Sequence, residues 1–390
     1  MQKFLDWCLD MGICFDGLEI RSCETSGNGV FATKFFRTNE KLIELPRELV
    51  ITAGKIADFE MYSELLYEKK FFPTPFELLT LFFCMEDCES SFYAPYINVL
   101  PKSFTTPSYM NKYIDPVNLP LSARQYWCIQ QKDLQEIWKR LVPEISHKKF
   151  LWAWNVVNTR CIYVENKPHV KVDNSAGDTL AVVPFVDMLN HDPCAKGLAG
   201  FDSYSNKYIV RSTHCVLEDE EVTVCYGAHD NARLWMEYGF TLPNNPNGRV
   251  TIETALFIAL AKSVGVTVSS QHEEVLHTAG LPCSLYLSDE GPSWALRTNS
   301  DRLLATSCSS RIRWRELIYG SSALHTTADR DSEVDFKETS ERQLLEKIII
   351  ELKQAVTAPE DTKWIWQEQL ATIDATLSFE VLTENYDNVT

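Results

Sequence analysis

Three short stretches hold the residues whose types and spacing could do chemistry. Asp187-Met188-Leu189-Asn190-His191-Asp192 follows a buried-looking apolar run, and about 35 residues further on Cys225-Tyr226-Gly227 closes another. Asp187, His191 and Asp192 offer metal-ligand or histidine–carboxylate base chemistry. No third or fourth ligand stands at a spacing used by zinc sites, so the sequence argues against a metal, and His191 also reads as a satisfied structural histidine. The third stretch, Ser26-Gly27-Asn28-Gly29-Val30-Phe31-Ala32, is a loose G-x-G-x-x-A. In a dinucleotide-binding fold such a turn leads into a phosphate-facing helix. Here TKFFRTNEKLIELP follows, with a polar turn and a second apolar run ending in Pro46, which predicts a hairpin. Two readings stay open: an ordinary tight turn that needs glycine, and a turn whose glycines let the backbone approach a flat ligand.

The elements that must hold these residues are legible from periodicity. From Leu18 to Ile51 short apolar pieces (LEI, GVFA, KLIEL, LVI) alternate with turn residues and predict the strands of a twisted sheet. From Phe76 to about Trp154 apolar residues recur every three or four positions, as in ELLTLFFCM and YWCIQQKDLQEIWKRLV, which predicts a mainly helical insertion. Strand patterns return in LAVVPFV, NKYIVRS and EEVTVCY, so the sheet is discontinuous in sequence. Asn231 to Tyr238 reads as a helix closed by Gly239. After the polar stretch Asn244 to Arg249 the pattern is mostly helical, notably ERQLLEKIIIELKQAV and WIWQEQLATIDATL. Thr326 to Thr339 is polar enough for a loop.

At 390 residues the chain is long enough for two or three domains, and 45% hydrophobic residues suit globular cores. No apolar run is long enough for a membrane helix, and the first 17 residues lack the basic and apolar regions of a secretory signal. The 12 cysteines form no CxxC frame and read as reduced thiols. A net charge of -17 disfavours nucleic-acid binding as the main activity and favours basic protein segments as partners.

Together these stretches resemble the SET-domain protein methyltransferases, in the branch of the plant Rubisco large-subunit methyltransferase. GNGVFATKFFRTNEKLIELP, YAPYINVLP, WAWNVVNTR, VVPFVDMLNH and VCYGAHDNARLWMEYGF carry the resemblance, which covers nearly the whole chain. It implies an α+β fold: a SET domain of short twisted sheets with a pseudo-knot, a helical insertion, and an all-α C-terminal substrate-binding domain. Residues 1–53 and 156–243 would be the two SET parts, 54–155 the insertion, and 250–390 the C-terminal domain.

The activity implied by the resemblance is protein-lysine N-methylation with S-adenosyl-L-methionine, giving S-adenosyl-L-homocysteine and needing no metal. Asn190 and His191 would hold the cofactor, with Ser26, Gly27 and Asn28 over its adenosine. Arg160 and Asp187 would stand near the cofactor and the substrate mouth, and Tyr226 and Tyr238 would line the transfer channel. Ser26 departs from the plant enzyme, which has an acid there that grips the cofactor. The expected partner is a lysine-containing protein, histone or non-histone, and not nucleic acid or membrane. The enzyme is expected to be a monomer in cytosol and nucleus. A histidine acceptor is the alternative within the branch, but it would want a polar partner for its second ring nitrogen. The channel positions here are Ile162 and Val186, apolar and suited to a lysine stem. A non-catalytic SET-like module that binds a protein tail is the alternative of another class.

Overall fold

The computed structural model describes residues 1–23, 27–110, 114–141, 145–165, 167–175, 179–263, 285–293, 295–296 and 362–387. These form two compact units. One comprises Met1–Tyr113, Ile129–His229 and Arg233–Pro243; the other Ile114–Cys128, Asp230–Ala232 and Asn244–Thr390.

The chain opens with helix α1 (Gln2–Asp10), whose Phe4, Trp7 and Cys8 are buried. Strands β1 (Leu18–Cys23), β2 (Gly27–Ala32), β3 (Lys41–Pro46) and β4 (Ile51–Thr52) follow, as the short alternating pieces predict. The insertion supplies α2 (Ala53–Asp58), α3 (Glu60–Glu68), α4 (Pro75–Met85), α5 (Ala94–Ile97), α6 (Leu121–Leu141) and α7 (His147–Arg160). Local chemistry sets these limits. Thr74 and Glu77 form a reciprocal capping box at the start of α4 with Pro75 in its first turn, and Ser146 caps α7 by accepting from the Lys149 N–H.

The second strand group is β5 (Ile162–Tyr163), β6 (Leu180–Val182), β7 (Asn190–His191), β8 (Gly197–Asp202), β9 (Lys207–Ser212) and β10 (Glu221–Val224), ending in α8 (Asn231–Tyr238). Seven strands join in the order β1-β2-β10-β8-β9-β3, with β7 also paired to β10. A smaller sheet runs β4-β6-β5. Residues far apart in sequence are therefore sheet neighbours: β10 lies antiparallel to β2 but parallel to β7 and β8. The core of this unit draws Phe4, Val30, Leu45, Phe82, Val157, Phe185 and Val210 from every one of these groups. Gly27–Ala32 is itself a strand, so no helix follows the glycines and the dinucleotide-loop reading is excluded; the expected hairpin with the run ending at Pro46 does not form either, because β2 pairs with β1 and β10 while β3 pairs with β9.

The C-terminal segment contains β11 (Val250–Ile252), α9 (Thr254–Ser263), β12 (Leu285–Ser288), β13 (Gly291–Pro292) and α10 (Lys363–Asp387). The all-helical expectation for residues 250–390 is thus corrected by a three-stranded antiparallel sheet, β11-β12-β13. Leu285 and Leu287 are buried while Tyr286 and Ser288 are half-buried, an alternation of period two that the surrounding helical pattern masks. WIWQEQLATIDATL lies in α10, whereas ERQLLEKIIIELKQAV and Thr326 to Thr339 fall outside the described residues. Among the described residues no helix is long and apolar enough to cross a membrane.

Candidate active site

The parallel ladder between β7 and β10 places Asn190 opposite Thr223 and His191 opposite Val224. The chain leaving β10 then crosses His191. The Tyr226 N–H donates to His191 Nδ1 at 3.1 Å, and the two rings stack with centroids 5.1 Å apart. Because Nδ1 accepts, the ring proton of neutral His191 sits on Nε2, which is buried with no partner among the described residues. Burial lowers the His191 pKa, which favours this neutral form. The Tyr226 hydroxyl donates to the Leu189 carbonyl at 2.7 Å, and burial holds its pKa well above the usual phenol value.

Tyr238 meets Tyr226 at 5.1 Å, and Phe240 lies 6.2 Å from both His191 and Tyr238. His229 stacks on Tyr238 at 6.0 Å. The result is a set of contacting rings around Tyr226 and Tyr238. Burial raises the Tyr238 pKa to about 12, so both phenols stay neutral near pH 7. Sequence reasoning did not single out Phe240, and it assigned His229 no role.

Helix α8 presents Tyr238 because its C-terminus is clamped. Gly239, at φ +84, caps the helix by donating to Leu234 and Trp235 O. Three side chains hold the last backbone carbonyls: Gln130 donates to Met236 O (3.1 Å), Asn158 to Glu237 O (2.8 Å) and Thr105 to Gly239 O (2.8 Å). These bonds satisfy acceptors that a helix end otherwise leaves unpaired.

The turn before β7 is held at some cost. Phe185 adopts φ +73, a left-handed conformation that is unfavourable for a bulky side chain. Its ring is fully buried and stacks on Phe15 at 4.4 Å, which fixes the turn Val186–Met188 that follows. Asp187 points inward from that turn with none of its side chain exposed. Arg160, the last residue of α7, donates through Nη1 to both the Asp187 carboxylate and the Asp187 main-chain oxygen at 2.9 Å. Tyr96, from α5, donates to the same carboxylate oxygen at 2.7 Å. Burial pushes the Asp187 pKa up, opposed by Arg160 and Tyr96. The pair fixes the backbone from which Leu189, Asn190 and His191 extend. Tyr96 was invisible to sequence reasoning because it lies 91 positions from its partner.

The glycine turn meets Asn190. Asn190 Nδ2 donates to Asn28 O at 3.2 Å and to Glu221 Oε1 at 2.7 Å. Gly27, in the β1–β2 hairpin, takes φ +75, which only glycine adopts readily. Ser26 falls outside the described residues. Val186 is buried at the start of its turn, and Ile162 is half-buried on β5, two residues beyond Arg160. Thus Asn190 bonds Asn28, its neighbour His191 contacts Tyr226, and Tyr226 contacts Tyr238, while Arg160 and Asp187 pair with each other in the turn that leads into β7. Among the described residues no group of His, Cys, Asp and Glu could hold a metal.

The family model described as SET domain matches residues 27–227. SET domain-containing protein 4 of Artemia parthenogenetica is 29% identical over 304 residues, covering 75% of this chain and 75% of that protein. The human protein of the same name is 28% identical over 326 residues, covering 79% and 71%. Actin-histidine N-methyltransferase of Xenopus tropicalis is 26% identical over 305 residues, covering 72% and 49%. Among solved structures, the SET domain of LSMT bound to lysine and AdoHcy matches with a TM-score of 0.62 at 16% identity, covering 99% of this chain and 92% of that one. Rubisco LSMT bound to AdoMet matches at 0.61 and 17% identity, covering 99% and 93%.

Proposed function

This chain belongs to the SET-domain family, and from that premise we propose that it transfers a methyl group from S-adenosyl-L-methionine to the side-chain amine of a lysine in a protein substrate. The observation that carries the proposal is the β7–β10 ladder, which sets Tyr226 against His191 and beside Asn190 in one cluster of rings and amides.

The residues suit the cofactor. Asn190, whose amide bonds Asn28 O beside the strand backbone at Gly27, and His191, whose buried Nε2 has no partner among the described residues, are successive residues of β7. Asn190, His191, Asn28 and Gly27 would hold the molecule, with Tyr226 at its reactive end. When bound, the sulfonium supplies an electrophilic methyl group, so the protein needs alignment more than covalent help. Tyr226 donates its O–H hydrogen bond to Leu189 O, which leaves the hydroxyl oxygen free to accept a hydrogen bond from the incoming amine. The phenol is not the base: its pKa lies above that of a lysine amine.

A free lysine is neutral about once in a thousand near pH 7, a deficit of roughly 4 kcal/mol. Burial among the rings of Tyr226, Tyr238 and Phe240 opposes the ammonium form by desolvation, and the proton leaves to water. Asp187 is not nominated as base, because Arg160 and Tyr96 already occupy one of its oxygens in the interior.

A histidine acceptor is the second reading, favoured by the likeness to actin-histidine N-methyltransferase. Apolar Val186 and Ile162 support lysine, since an imidazole would need a partner for its other nitrogen. Cell extract incubated with the purified protein and isotopically labelled methyl donor, then analysed by peptide mass spectrometry, decides between them. Label on lysine Nζ is expected; label confined to histidine ring nitrogens reverses the choice. Capture of lysine peptides without any label would instead support the binding-module alternative.

A further inference from the structure

Glu221, the first residue of β10, has no part in the chemistry described so far. Its carboxylate nevertheless lies directly behind the amide that the proposed function uses. Asn190 Nδ2 donates one hydrogen to Glu221 Oε1 at 2.7 Å and the other to Asn28 O at 3.2 Å. Both partners are pure acceptors, so the amide orientation is fixed: a reversed Asn190 would press its own oxygen against a carboxylate oxygen. Oδ1 must therefore face away from Glu221.

The sequence makes room for this contact. A Cβ on Gly29 would fall well inside contact distance of Glu221 Oε1 and 3.1 Å from Asn190 Nδ2. Gly29 has no positive φ, so space and not backbone conformation explains the glycine here. Glu221 pairs opposite Phe31 on β2, which holds its backbone in register with the glycine strand.

We propose that Glu221 is a positioning residue of the cofactor site: it locks Asn190 with its carbonyl oxygen outward and, through its charge, makes that oxygen a receptor for a cationic donor, the α-ammonium at the aminoacyl end of the cofactor. A carboxylate hydrogen-bonded behind an amide polarises it, so its carbonyl accepts more strongly from an ammonium than from a neutral amine or hydroxyl. The proposal rests on Asn190 being part of the cofactor site.

The test is calorimetric titration of the full chain with S-adenosyl-L-homocysteine and, separately, with methylthioadenosine, which lacks the aminoacyl end. Glu221→Ala should weaken S-adenosyl-L-homocysteine about tenfold or more, the worth of a hydrogen bond to a charged group, and leave methylthioadenosine within about twofold. Glu221→Gln keeps an acceptor for Nδ2 without the charge and should lie between native and Ala. Gly29→Ala, which displaces the carboxylate from the opposite strand, should reproduce the Ala pattern and serves if Glu221→Ala does not fold. Equal weakening of both ligands, or unchanged binding of S-adenosyl-L-homocysteine, overturns the role of Glu221. Failure of the native chain to bind either ligand overturns the cofactor reading itself, a distinct result.

Discussion

Replacing Asp187 by Asn should destabilise the protein by about 3 kcal/mol, near the lower end of the roughly 3–5 kcal/mol that follows removal of one partner from a buried ion pair. The structure sets the size. The carboxylate is wholly buried, its partner Arg160 is only 17% exposed, and Nη1 holds both the carboxylate and the main-chain oxygen at 2.9 Å. Asn preserves volume and one acceptor but leaves the guanidinium charge uncompensated. Tyr96→Phe, which removes a bond to the same oxygen, should cost about 1.5–3 kcal/mol. Arg160→Met removes the charge that Asp187 balances, so the Arg160→Met/Asp187→Asn double variant should lose less than the two singles combined, by at least about 1 kcal/mol. Urea unfolding monitored by tryptophan fluorescence gives all four corners of the cycle. An Asp187→Asn cost below about 1 kcal/mol, or strict additivity, would refute the claim that this pair anchors the turn that leads into β7.

Other outcomes follow from single contacts. His191 has a depressed pKa when folded, so the unfolded chain binds more protons below the ordinary value of 6.5. Its contribution to stability is complete above pH 6.5 and is lost as pH falls towards the folded pKa; native and His191→Asn denaturation curves should converge over that interval, and parallel curves contradict it. Gly239→Ala forces a left-handed residue and puts a Cβ against Thr105 Oγ1 and 2.8 Å from Thr106 N, so a loss of about 2 kcal/mol is expected in thermal unfolding, with slower turnover as Tyr238 shifts. Thr74→Ala, which breaks the capping box of α4, should cost about 1 kcal/mol in the same assay without changing cofactor affinity.

Much of this architecture was legible in the residues, because local chemistry dictated it. The strand pieces from Leu18 to Ile51, and the helix Asn231–Tyr238 with Gly239 after it, follow from alternation, periodicity and a C-cap glycine. Strands β12 and β13 were missed since four and two residues give periodicity too little length to register. The partners of the site residues escaped for another reason. Glu221 lies 31 positions from Asn190 and Tyr96 lies 91 from Asp187, and no local pattern reports a contact made only when strands and helices assemble. Phe240 left a fainter signal, as an aromatic residue just past the Gly239 cap. The positive φ at Phe185 was unreadable, because nothing in that residue type favours it.

Methyl transfer by the native chain and by Tyr226→Phe, measured as isotope passed from labelled S-adenosyl-L-methionine to proteins of a cell extract, decides whether the Tyr226 hydroxyl serves the transfer step. Phenylalanine keeps the ring stacked on His191 and the backbone N–H bonded to it, but loses the hydroxyl that Leu189 orients. That role predicts labelling by the native protein, a fall of roughly a hundredfold in the variant, and S-adenosyl-L-homocysteine affinity that changes only a few fold. Equal labelling by both proteins, or none by the native chain, contradicts it.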